Sequence, residues 1–295
     1  MIIISIKGGL GNQMFQYAFG RKMSLINNTK LFLDLSWFNE KNQDFPREYV
    51  LDKFNINAEI ADPVIIKKIR GGFSNYHSIY NRIFKKICPF LFKKNIYEKN
   101  IIFDPAIFNY DGDKYYDGFW QNYRYFIDVN NIILKEFKLL VDIGISKNKI
   151  AKEIKSRNSI SIHIRRGDYA KIQSTREFHG LLPKKYFELS IEKIVQLVDK
   201  PHFYFFSDDI AWVKENLNIE YPHSFVVNSP DGEEYIDLIL MSICKHNIIA
   251  NSTFSWWAAW LNNNQEKVVI APPVWSKAVP DISEIIPTNW EIINY

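Results

Sequence analysis

Apolar and polar positions along this chain switch between two periods. The opening run IIISIK is short, apolar and closed by Gly8 and Gly9, as a buried strand would be. NQMFQYAFGRKMSLINN then carries Met14, Ala18, Met23 and Leu25 at helical spacing, and TKLFLDL alternates again. Strand, glycine turn, helix and strand make a βαβ unit. From Phe38 to Asp142 the pattern is irregular and aromatic-rich, and YDGDKYYDGFWQNYRYF within it reads as a turn with strand or helix pieces. Regular order returns at Ser159. Ile160, Ile162 and Ile164 alternate with Ser161, His163 and Arg165, and Pro183 opens a helix through PKKYFELSIEKIVQLV. HFYFFSDD, SFVVNS, NIIAN and KVVIAPP read as strands, separated by helices in AWVKENL, GEEYIDLILMSICKH and TFSWWAAWLN. Alternation of this kind predicts an α/β protein with parallel sheets. The expected organisation is two Rossmann-like halves with a cleft between them, residues 1–150 and 151–295. Ligands of such sheets bind at the carboxyl ends of the strands, where RRGDY, SDD and NSTFS fall.

Composition narrows the function classes. The 295 residues are 47% hydrophobic and 16% aromatic, enough for a substantial core, and a net charge of +4 is far from the concentrated charge of a nucleic-acid binder. Cys88 and Cys244 lie far apart in sequence, which argues against a disulfide framework or zinc site and for a reducing compartment. The N-terminal run has no basic segment before it and reads as a first strand, not a signal peptide. No apolar run approaches the ~20 residues of a membrane span. A cytoplasmic protein is expected.

The strand end His163, Arg165, Arg166, Asp168 is the densest chemistry. Adjacent arginines on a strand point to opposite faces, so one can meet an anion while the other braces the loop; structural ion pairs are the plainer reading. Arginine's planar fork suits phosphate. Asn251, Ser252, Thr253, Phe254 and Ser255 lie between a strand and a helix. Simple N-capping explains small hydroxyl residues there, and so does an anion site on free helix N–H groups; both can hold. Arg165 with this helix start would hold a pyrophosphate without a metal. Asp237 is either an exposed helix carboxylate or an acceptor for guanine N–H groups. Gly9 and Gly11 start a dinucleotide fingerprint, with Asp34 placed like the ribose-binding acid, but Met14 occupies the third glycine position. Asn12 and Gln13 of that loop could approach a ligand. Asp111-Gly112-Asp113 matches an Asp-x-Asp metal motif and equally ordinary turn chemistry; no metal site is expected. Between Val64 and Tyr97 there are eight basic residues and no acid. A solvated face is one reading, and peripheral contact with an anionic membrane surface is the other.

Taken in order, GGLGNQMFQYAFGR, HIRRGDY, FSDDIAWVKENL and HNIIANSTFSWWAAWL resemble the bacterial galactoside α-1,2-fucosyltransferases, and DGFWQNYRYF is similar to that family's Gly-aromatic-aromatic-Gln segment. The resemblance covers nearly the whole chain. It implies a GT-B-type fold and inverting transfer of L-fucose from GDP-L-fucose to the 2-hydroxyl of a terminal galactose in a β-galactoside oligosaccharide. It places Arg165 on the donor pyrophosphate, His163 near the nucleoside, Asp237 on guanine, and Arg166 with residues Asn251 to Ser255 around the donor. Asn12 would face the reacting sugar, with Gln13, Trp120 and Gln121 also on the acceptor side. Asp168 is a general base or a structural carboxylate paired with Arg166. No cofactor is implied. A sugar-nucleotide or glycan-binding protein without catalysis is the alternative.

Overall fold

The IIIS run forms β1 (Ile2–Ser5), buried along its whole length in this computed structural model, and the Leu10–Ile26 helix returns the chain to β2 (Leu31–Asp34). The structure describes residues 1–39, 47–70, 94–230, 232–279 and 281–295, with the side chains of Asp168 and Lys171 outside the description. Two units result, Met1–Leu140 and Val141–Tyr295. The division falls before residue 150 because the Ile145–Ser156 helix packs against the second sheet.

In the first unit β3 (Glu59–Ile60), β4 (Asn95–Tyr97) and β5 (Lys114–Asp117) complete a parallel sheet of order β3-β2-β1-β5-β4. Phe19, from the first helix, stacks on Trp120 with ring centroids 3.9 Å apart and meets Tyr116 and Tyr125 edge-on. Among the described aromatics of the middle of the chain, Tyr115, Tyr116, Trp120, Tyr125 and Phe126 are thus buried in this unit's core. Asp34 is buried, accepting hydrogen bonds from Tyr115 Oη at 2.7 Å and Ser36 N at 2.9 Å.

The second unit is built on β6 (Asn158–Ile164), β7 (Pro201–Ser207), β8 (His223–Phe225), β9 (His246–Ile248), β10 (Val269–Ala271) and β11 (Glu291–Ile292). Their order is β11-β10-β9-β6-β7-β8, with every pairing parallel. The sheet grows outward from β6 in both directions, as in doubly wound folds. Both faces are covered, so the alternation in β6 does not separate core from solvent. Ile160, Ile162 and Ile164 join a core with Tyr186, Ile194, Phe203 and Val213. The alternate row is buried but polar, and its two serines find partners: Ser159 Oγ accepts from Lys245 N at 3.1 Å, and Ser161 Oγ accepts from Asn247 Nδ2 at 2.7 Å. Among the described residues, no helix is long and apolar enough to cross a membrane.

Candidate active site

In the second unit the order in which strands join the sheet reverses at β6, whose neighbours are β7 and β9. Open parallel sheets bind ligands outside the carboxyl ends of strands at such a point. Arg165, Arg166 and Gly167 follow β6 there. The parallel register sets Ile164 beside Ser207, which brings Arg165 level with Asp208. Arg165 Nη1 lies 2.9 Å from Asp208 Oδ2, with the guanidinium 5.7 Å over the Tyr169 ring. Asp208 Oδ1 accepts a hydrogen bond from Arg166 N at 2.8 Å. Arg166 turns elsewhere: its Nε is 3.2 Å from Asp209 Oδ2 and its guanidinium lies 4.0 Å over Trp212. Asp209 caps the Ile210–Asn216 helix by accepting from Trp212 N at 3.1 Å. A Cβ on Gly167 would sit 2.6 Å from Asp208 Oδ2, so glycine permits this close packing.

His163 is the last member of the polar row of β6. Its ring lies 5.5 Å from that of Phe254, and its Nδ1 is buried with no hydrogen-bond partner among the described residues. Such an atom calls for an explanation, and an unmet ligand group is one. Burial pushes the imidazole down to about 4; Asp208 opposes the shift and Arg165 adds to it. The ring is therefore neutral at pH 7, with one nitrogen able to accept and the other to donate.

Across β9 the Thr253–Leu261 helix begins at Ser252, whose side chain makes no capping bond. Asn251 and Ser255 are turned into the fold. Asn251 Nδ2 donates to His179 O at 2.8 Å and Trp275 O at 3.2 Å, while Ser255 Oγ accepts from Ala250 N at 3.2 Å. Tyr169 Oη donates to Asn251 O at 3.3 Å and ties the arginine loop to this one. Thr253 and Phe254 remain half-exposed at the helix start. Asp237 is half-buried and occupied by its own unit, not the free helix carboxylate of the plainer sequence reading: Lys147 Nζ is 3.1 Å from Oδ1, and Ser229 donates to it through N at 3.0 Å and Oγ at 2.9 Å. Arg166 pairs with Asp209, while the Asp168 side chain, and with it the alternative pairing of Asp168 with Arg166, lies outside the described residues.

The first unit has its own reversal, at β1 between β2 and β5. The Leu10–Ile26 helix starts there at Gly9 with no side-chain cap and no acid in its first turn. Gly8, at φ +78°, turns the chain so tightly that a Cβ would meet Asn12 Nδ2 at 2.7 Å. Asn12 Oδ1 accepts from Gln121 Nε2 at 2.8 Å, so these two expected residues come together. Gln13 and Trp120 do not join them. Gln13 is fully buried, donating to Gly8 O and Glu48 O and accepting from Val50 N; Trp120 is buried against Phe19. Both support the surface rather than form it. Lys7 Nζ pairs with Asp117 Oδ1 at 2.6 Å. Asp113 pairs with the Met1 amino group at 2.8 Å, and Gly112 beside it takes φ +70°, a turn conformation. Among the described residues no cluster of His, Cys, Asp or Glu is arranged to hold a metal.

SDD reads in the sequence as a polar strand end, with no role for Asp208 or Asp209, and no local pattern singles out Lys7, Glu98 or Phe119. The signal for Asp208 was its place just past a strand, like Arg165. Of the basic stretch, Lys67, Lys68 and Arg70 fall on the Pro63–Arg70 helix, and Arg70 lies 5.0 Å over the Tyr115 ring. Arg82, Lys85, Lys86, Lys93, Cys88 and the stripe Ile79, Ile83, Ile87, Phe90 lie outside the described residues.

Residues 1–294 match the description Glycosyl transferase family 11. The chain is 36% identical to an Escherichia coli alpha-1,2-colitosyltransferase over 93% of its own length and 92% of that protein's. It is 34% identical to the Escherichia coli O-antigen biosynthesis glycosyltransferase WbnK, covering 92% and 93% respectively. Among solved structures, the NodZ alpha-1,6-fucosyltransferase of Bradyrhizobium, soaked with GDP-fucose, superposes with a TM-score of 0.53 at 12% identity over 88% of this chain and 92% of that one. That likeness shows the fold, which is GT-B-type as expected.

Proposed function

The chain belongs to glycosyl transferase family 11, and from that premise we propose that it transfers L-fucose from GDP-L-fucose, with inversion, to the 2-hydroxyl of a terminal galactose. The observation that carries the reading is the second unit's switch point. Arg165 stands on one side of it and the uncapped start of the Thr253–Leu261 helix on the other. Negative charge develops on the diphosphate as the sugar bond breaks. A fixed guanidinium and helix N–H groups stabilise that charge where it appears. Neutral His163 beside Phe254 offers a polar and an aromatic contact to the nucleoside. Protein groups meet the leaving-group charge in this scheme, so turnover should persist in excess EDTA.

The acceptor hydroxyl loses a proton, and Asp168, next in sequence to the arginine pair, is the proposed base. Asn12 and Gln121 supply amides for neutral sugar hydroxyls. The similarity to WbnK makes an O-antigen type of glycan a reasonable acceptor, presented at a membrane surface that the basic helix near Arg70 would face.

The colitosyltransferase relative supports a second donor, since colitose is fucose without its 3-hydroxyl. A site that hydrogen-bonds that hydroxyl rejects the deoxy sugar by about 10⁴–10⁵. The test is a donor panel of GDP-fucose, GDP-colitose, GDP-mannose and UDP-galactose with lactose as acceptor, the product linkage being read by NMR. An α-1,2-fucosylated product and a large preference for GDP-fucose support the reading. Preference for GDP-colitose replaces the donor, and turnover with UDP-galactose alone rejects the reading.

A further inference from the structure

The GFWQ segment after β5 contains two aromatic residues with opposite fates. Trp120 is 1% exposed, whereas Phe119 is 42% exposed. A single exposed aromatic is ordinary, but the fold constrains this one from several directions. Glu98, just past β4, accepts hydrogen bonds from Phe119 N at 2.6 Å and Trp120 N at 3.0 Å. Gly118 packs so close to Glu98 that a Cβ would lie 2.4 Å from Glu98 Cβ. Trp120 takes φ +54°, rare for a bulky residue, and its stacking on Phe19 anchors that conformation. Backbone strain of this kind persists only where the surroundings over-determine it, and it clusters at ligand sites. Its result here is a turn that buries the indole and presents the phenyl ring.

The surroundings of that ring are chemically specific. Lys7 Nζ lies 5.1 Å from its centroid and is paired with Asp117. Two residues on, Gln121 donates to Asn12. All of these sit at the carboxyl ends of β1 and β5, the first unit's switch point. An apolar ring beside an ammonium paired with a carboxylate, with amides at the same end of the sheet, matches a pyranose. A sugar has one face of C–H groups to lie on an aromatic ring and hydroxyls at its rim to bond polar neighbours. Galactose in particular gathers C–H groups on one face.

We propose that Phe119 is the stacking platform for the acceptor's terminal sugar, with Glu98 as the positioning residue that holds it out. This rests on the proposed galactoside acceptor and deepens it. The ring supplies contact area and the Asn12–Gln121 pair supplies direction.

The test combines kinetics with saturation-transfer NMR of lactose on the full-length protein. Phe119→Ala should raise the KM for lactose at least about tenfold and weaken saturation transfer to the galactose protons. The GDP Kd and the rate of donor hydrolysis without acceptor should stay at wild-type values. Phe119→Tyr and Phe119→Trp should restore lactose KM, because either ring provides a face. Glu98→Gln should raise lactose KM with little change in GDP Kd, and its circular dichroism spectrum checks folding. A wild type that binds lactose but transfers nothing from GDP-fucose defeats the proposed reaction and leaves the platform standing. Unchanged lactose KM and saturation transfer in Phe119→Ala overturn the platform while leaving the reaction intact. A parallel loss of GDP affinity would also overturn it, by showing the ring to be structural.

Discussion

Both units place a glycine-containing loop and an uncapped helix start at the switch point of a parallel sheet, yet the side chains there differ in kind. The second unit gathers Arg165, Arg166, Asp208 and Asp209, four charges locked pairwise. The first gathers the amides of Asn12 and Gln121, one Lys7–Asp117 pair and an exposed phenyl ring. On the proposed reading the same backbone geometry serves two ligand chemistries. Fixed charge suits a diphosphate, whose charge grows during reaction. Amides and an aromatic face suit neutral hydroxyls, which must be recognised without being ionised. The lesson is that the fold supplies the location and the loop residues supply the chemistry.

Breaking the charged side should cost most. Arg165→Lys keeps the charge but loses the planar fork, and kcat/KM should fall by about 10²–10³, the loss for one donor of this type. Steady-state kinetics with GDP-fucose decide it, and near-normal values would remove Arg165 from the diphosphate. Asp168→Asn should lower kcat by about a hundredfold, within the range for a general base, while GDP affinity by calorimetry changes little. Collapse of both together would make Asp168 a brace for the loop.

Two glycines sharpen the contrast between the units. Gly167→Ala must displace Asp208, breaking its pair with Arg165, and kcat/KM should fall by about tenfold. That is the scale of a hydrogen bond to a charged group, about 1.5 kcal/mol. Gly9→Ala meets nothing within 4 Å and has ordinary φ at −73°, so GDP-fucose kinetics should stay within about twofold.

Much of this architecture is legible before any coordinates. The alternation in β6 and the helix patterns that follow it identify a parallel α/β unit, and the glycine loop identifies the βαβ start. What escapes has physical reasons. β3 and β11 are two residues long and exposed, too short for any period. The Arg165–Asp208 pair depends on the register of β6 against β7, and the Asp237–Lys147 pair joins residues ninety positions apart. In GFWQ the sequence offers two adjacent aromatics and nothing local to say which is buried. Which ring is buried depends on a positive φ at Trp120 and on Glu98, 22 residues before it, neither of which appears in a local pattern.

The smallest effect concerns pH and separates the units again. His163 is held down to about 4, first by burial. Between the ordinary histidine value of about 6.5 and about 4, the unfolded chain takes up a proton that the folded one refuses. The stability this group contributes is full above pH 6.5 and is lost as pH falls through 4. Thermal unfolding of the wild type should therefore weaken between pH 6.5 and 4.5, and His163→Gln should flatten that slope by a few degrees. An identical slope in both would place the acid sensitivity elsewhere.

The division of labour itself can be read by hydrogen–deuterium exchange of the full-length protein. GDP should protect backbone amides around residues 163–169 and 250–256 and leave residues 7–13 and 117–122 unchanged, and lactose should do the reverse. Protection of residues 7–13 by GDP, with residues 163–169 unaffected, would contradict the assignment of the donor to the second unit.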